Sequence, residues 1–79
     1  MKVLTERQKN ILCMHANGFN LCEVAVDLSY SYVTIRKDVE RAKKRLGAFN
    51  LAQAVVLAIS NGEIAISEDG NASPRVGVD

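Results

Sequence analysis

Arg36, Lys37, Arg41, Lys43, Lys44 and Arg45 place six of the chain's ten basic residues in one short stretch. With Asp38 and Glu40 that stretch carries +4, while the rest of the chain sums to −3. Cations held this densely suit phosphate oxygens, and Arg and Lys also donate to guanine O6 and N7 in the DNA major groove. The apolar residues of the same stretch are Ile35, Val39, Ala42 and Leu46. Their spacing makes a one-sided helical stripe. A helix fixed to a core by one face and offering cations on the other can enter a major groove. An ordinary solvated charged face has the same pattern, so the neighbouring residues decide between the two readings.

Other chemistry finds few parts. The chain has one His, His15, and two Cys, Cys13 and Cys22, with no paired-Cys motif. That argues against a metal site, a disulfide framework or a cofactor, and both thiols read as reduced. There are no paired carboxylates in a pocket-forming context and no glycine-rich phosphate loop, so no catalytic residues are assigned and an enzyme is not expected. His15 follows Ile11 by one helical turn and reads as a packed or interfacial residue. The N-terminal MKVLTERQK is polar, unlike a signal peptide, and no apolar run is long enough to span a bilayer. The expectation is a cytoplasmic protein with no membrane partner.

The elements that must position the basic stretch announce themselves by capping chemistry. Seventy-nine residues make one small domain. Thr5 with Gln8 opens a helix running to about Ala16, and Gly18 supplies its stop. Asn20 with Glu23 opens a second, short helix with Val24, Ala25 and Leu28 inward. Ser31 caps the basic helix, residues 32–46, and Gly47 closes it. Asn50 with Gln53 opens a fourth helix that ends near Asn61 and Gly62. Only Ser29 to Ser31 separate the second helix from the third, which is a helix-turn-helix arrangement. The expected fold is therefore all-α with four helices over residues 1–65. Residues 66–79 are polar, carry the only Pro, and read as a mobile tail.

The fourth helix, residues 50–61, holds no charged residue. Its apolar side chains exceed what one core face can bury, and monomers rarely leave such a patch open. A homodimer interface through Ala52, Val55, Val56 and Ile59 is expected.

The order of these motifs resembles the DNA-binding domain of the LuxR/GerE/NarL family of bacterial transcription regulators. The family's LTxRExxVL stands here as LTERQKNIL (4–12), its AxGxSNxEIAxxL as ANGFNLCEVAVDL (16–28), its SxxTVKxH as SYVTIRKD (31–38), and its KLGVxxRxQAV as RLGAFNLAQAV (45–55). The match is ungapped over residues 4–64. Gln8, Leu21, Asp38 and Leu51 depart from the usual residues. Asp38 replaces a His and would set a carboxylate near the phosphates unless Arg41 neutralises it. Arg7 and Glu23 match a family pair expected to meet between the first two helices. Most relatives carry a receiver or ligand-binding domain upstream, and this chain looks like the stand-alone members or like an excised effector domain.

The resemblance implies a four-helix LuxR-type domain that reads double-stranded DNA in sequence-specific fashion with helix 32–46. By register the groove-facing residues are Val33, Arg36, Lys37 and Glu40, with Arg41 flanking them in the DNA-binding set and Lys43, Lys44 and Arg45 further along on phosphates or in solvent. Glu40 can instead pair with Lys43 or Lys44. The Thr34 hydroxyl can hold a phosphate or bond within the helix, and Tyr32 stands at the helix entrance. RNA polymerase or a full-length LuxR-type regulator is the protein partner such a domain would meet. One rival reading is an antagonist that heterodimerises with a full-length regulator through helix 50–61 and binds DNA weakly or not at all. Asp38 favours it. A polymerase-binding module like region 4 of a sigma factor is a second rival, and the KRLGA…QAV register argues against it.

Overall fold

The computed structural model describes residues 4–67 and 72–74. Its elements run α1 (Glu6–Ala16), α2 (Leu21–Leu28), α3 (Tyr32–Leu46), α4 (Leu51–Ser60), β1 (Ile64–Ile66) and β2 (Ala72–Pro74). All four helix starts lie where the capping residues put them. The Thr5 hydroxyl accepts from Gln8 N at 3.1 Å, while Thr5 N donates to Gln8 Oε1 at 3.1 Å. Asn20 and Glu23 form the same reciprocal box at 2.8 Å in each direction. Ser31 Oγ accepts from Thr34 N, and Asn50 Oδ1 from Gln53 N. Each such bond satisfies an amide that the first helical turn leaves without a partner.

The stops differ in one place. α3 ends at Gly47 in the left-handed region with φ 73°, as Gly favours. α2 ends at Ser29, φ 61°, the one non-glycine among the described residues with positive φ. The sequence carries no glycine there, yet the turn into α3 is so tight that the chain must reverse at that residue.

The core has two joined halves. Ile11, Val24, Ala25, Ile35 and Val39 bring α1, α2 and α3 together. Leu4, Leu12, Cys13, Ala42, Ala54, Ala58 and Ile64 bring α4 and β1 onto α1 and α3. Leu51 packs against both halves. The inward stripe of α3 is thus the one read from its spacing, with Leu46 half-buried at its end.

A short hairpin adds to the expected fold. β1 pairs antiparallel with β2 in the register Ile64 with Pro74 and Ile66 with Ala72, and β2 lies along α1. Ile64 is fully buried and Glu63 Oε1 accepts from Leu4 N at 3.3 Å, which ties the hairpin to the start of the chain. The remaining tail positions, 68–71 and 75–79, lie outside the described residues. Lys9 of α1 is buried to 1% exposure, its Nζ 3.7 Å from Glu6 Oε2.

Candidate nucleic-acid interface

With Ile35, Val39 and Ala42 buried, helical geometry turns Val33, Arg36, Lys37, Glu40, Arg41 and Lys44 outward. All six are exposed. Tyr32, Val33, Arg36, Lys37, Glu40 and Arg41 line one shallow depression on the outer face of α3. Lys44 continues that face one turn beyond Glu40.

The side chains on this face are ordered by their neighbours. Arg36 Nη1 donates to the Tyr32 hydroxyl oxygen at 3.4 Å, and the guanidinium lies 5.8 Å from the Tyr32 ring centroid. That hydrogen bond and the tyrosine's own charged form raise the Arg36 pKa above its ordinary value. Lys43 Nζ lies 2.9 Å from Glu40 Oε2. The Lys43 hydrogen bond, first among the causes, holds the Glu40 carboxyl below the usual carboxylate range, and the charges of Arg36 and Lys44 act in the same direction. Glu40 thus pairs with Lys43 at the surface of the free protein. Thr34 is half-buried at the edge of the face. Ser31 Oγ donates to Thr34 Oγ1 at 2.9 Å, so the Thr34 hydroxyl bonds within the helix cap.

Asp38 is where the structure corrects the sequence reading. It is 2% exposed and points into the protein. Its carboxylate accepts from Arg7 Nε of α1 and lies 3.6 Å from Arg41 Nη1. A residue three past Ile35 and four before Ala42 belongs to the inner stripe, and its charge is tolerated there because a guanidinium meets it. Asp38 therefore presents no carboxylate to a phosphate on the outer face. Arg7 is likewise not the partner of Glu23, whose carboxylate closes the α2 cap. Arg7 also stacks over the Tyr30 ring, 4.7 Å from its centroid. The hydrogen bond to Asp38, and after it the one to Tyr30, raises the Arg7 pKa.

On α4, Ala52, Val56 and Ile59 form an exposed stripe, with Val56 at 62% exposure. Val55 is half-buried against the core at the edge of this stripe. Phe49, just before α4, is a further apolar side chain left 88% exposed. It escaped the sequence reading because it precedes the cap, outside the helical period. Behind it, Gln53 Oε1 accepts from Phe49 N at 2.7 Å. His15 is half-buried, with Nδ1 3.2 Å from the Phe19 carbonyl oxygen. Among the described residues no helix is long and apolar enough to cross a membrane.

The family model of bacterial regulatory proteins, luxR family (GerE), matches residues 2–58. The solved structure of the transcription factor GerE superposes with a TM-score of 0.75 at 21% identity, over 78% of this chain and 92% of that one. A chain of the phage VqmA–DPO complex superposes with a TM-score of 0.67 at 32% identity, over 75% of this chain and 27% of that one. This chain thus spans about a quarter of that protein's length. No curated protein sequence matches the chain.

Proposed function

We propose that this chain, which belongs to the luxR family of bacterial regulatory proteins, is a sequence-specific DNA-binding transcription regulator that works as a homodimer and not as an enzyme. The observation that carries this reading is the outer face of α3. There Val33, Arg36, Lys37 and Arg41 share one surface of a helix whose opposite stripe is locked into the core. Arg36 and Lys37 supply donors for guanine O6 and N7, and Val33 an apolar contact for a thymine methyl. Arg41 and Lys44 meet phosphates and fix register, and Thr34 offers a further phosphate contact from the first turn of the helix. Glu40 can accept from cytosine N4 through the carboxylate oxygen that Lys43 does not approach.

The exposed Ala52, Val56 and Ile59 stripe of α4 pairs two copies, so each α3 reaches one half of a two-fold symmetric site. Val55 contributes from the rim of that stripe. The antagonist reading loses its main support with Asp38 turned inward. The setting is the bacterial cytoplasm, where RNA polymerase is a further partner.

Titration of the chain against a random-sequence duplex at 50 and 200 mM salt tests the nucleic-acid part. A protein neutralising several phosphates loses affinity steeply, with a log–log slope of about −0.9 per phosphate. Weak, salt-insensitive binding would favour the antagonist instead.

A further inference from the structure

Arg7 lies on α1, outside the helix-turn-helix, yet it reaches both that motif's turn and its second helix. Its Nε donates to Asp38 on the inner face of α3. Its guanidinium covers Tyr30, and Tyr30 is the middle residue of the turn between α2 and α3, with its N donating to Ala25 O at 3.0 Å. Arg41 Nη1, on the outer side of α3, approaches the same carboxylate at 3.6 Å. One buried carboxylate is thus held from α1 on one side and from α3 itself on the other.

We infer that Arg7, Asp38 and Tyr30 form a latch that sets the rotation of α3 about its own axis, and hence the base preference of the face opposite. This inference rests on the DNA-binding reading above. Apolar contacts such as those of Ile35 and Val39 hold a helix against a core without strong directional preference. A charge-assisted hydrogen bond to a planar guanidinium is directional. Asp38 follows Arg36 and Lys37 immediately in the sequence, so the angle at which Arg7 holds it is transmitted to them rigidly. Side-chain tips ride on a radius of about 5–6 Å. A roll of about 20° therefore moves them by about 2 Å, whereas a hydrogen bond to a base edge holds only over about 2.7–3.2 Å. Phosphate contacts by long, mobile cations tolerate such a shift far better. Breaking the latch therefore damages sequence preference and spares general DNA affinity. Arg7 and Asp38 are positioning residues, since neither faces the groove.

The test compares two duplexes of equal length, one enriched from a random library by the wild-type protein and one unrelated. Arg7→Gln, Asp38→Asn, the double variant and Arg7→Lys are measured at 10 °C, with helical content checked by circular dichroism. The ratio of the two affinities should fall at least tenfold in Arg7→Gln, Asp38→Asn and the double variant. Affinity for the unrelated duplex should move by less than about threefold. The double variant restores net charge without restoring the ratio, and Arg7→Lys keeps part of it. A purely structural pair would leave the ratio unchanged in every folded variant, and that result overturns the latch. If Asp38→Asn loses helical content, Tyr30→Leu removes the guanidinium–ring contact from the turn, and an unchanged ratio there counts equally against the proposal. Failure of the wild type to bind either duplex in a salt-dependent way would overturn the DNA-binding reading itself, and the latch with it. Intact wild-type preference with unaffected variants overturns the latch alone.

Discussion

Tyr32 and Arg36 stand one helical turn apart at the start of α3, and the guanidinium lies 3.4 Å from the tyrosine hydroxyl and 5.8 Å from the ring centroid, which biases where it rests. An arginine already ordered by its neighbour loses less side-chain entropy when it meets a base. Arg36→Ala should abolish most of the preference for a selected duplex over a random one. Tyr32→Ala should lower that preference by a smaller factor while Arg36 remains. Lys44→Ala should weaken both duplexes alike and make the salt dependence shallower by about one unit of log–log slope. Fluorescence anisotropy with the two duplexes distinguishes these patterns. Equal losses on both duplexes for Arg36→Ala would remove it from base readout.

The stripe Ala52, Val56 and Ile59 predicts a dimer that a single charge can split. Val56→Glu should give a monomer by sedimentation at micromolar concentrations, with helical content kept, because Val56 is exposed in one copy. DNA affinity should drop with it, since each monomer then holds half a site without the effective concentration of the second. Phe49→Ser should act in the same direction. A wild-type protein that sediments as a monomer at every concentration would contradict the interface.

The two cysteines should differ sharply in reactivity. Cys13 is buried between α1 and the α4 side of the core, and burial raises its pKa from 9.0 to about 11 against a smaller opposing effect of Lys9. Cys22 is exposed on α2. A thiol reagent at pH 8 should label Cys22 fast and Cys13 only at the rate of unfolding. The raised pKa also fixes a pH dependence. Well below pH 9 the thiol is neutral in both folded and unfolded chains, and its contribution to stability is complete. As pH rises from 9 through about 11 the unfolded chain ionises first, so stability declines over that window. Chemical denaturation of the wild type and of Cys13→Ala across pH 8–11 should show a steeper decline in the wild type than in the variant.

Ser29 holds a left-handed conformation that costs an L-residue about 1–2 kcal/mol. Glycine avoids that cost and adds about 0.5–1 kcal/mol of chain entropy to be lost on folding. Ser29→Gly should therefore stabilise the domain by about 0.5–1 kcal/mol, read as an upward shift in thermal midpoint. A lower midpoint would mean that the Ser29 side chain contributes more than its backbone costs.

Much of this fold was legible in the sequence because its helix starts are chemically explicit. Thr5, Asn20, Ser31 and Asn50 each cap a helix in the expected place. The outer face of α3 was legible because a helix stripe fixes two faces at once. Asp38 was misplaced for a physical reason. Its charge suggested an outward position, although its spacing from Ile35 and Ala42 already put it inward, and only a partner distant in sequence could make that tolerable. Arg7 is that partner, and no local pattern in LTERQKNIL announces it. Ser29 was missed as a stop because its backbone is set by the length of the turn and not by its residue type. The hairpin was missed because three-residue strands carry too little alternation to stand out.

Selection from a random-sequence DNA library by the purified chain tests the central claim most directly. The account predicts one enriched motif that is two-fold symmetric, with half-site centres about 10 bp apart or a multiple of that. It predicts also that Arg36→Ala loses the motif while still retaining DNA. Enrichment of no motif by the wild-type chain, or recovery of the same motif by Arg36→Ala, would contradict the assignment of α3 as the element that reads DNA.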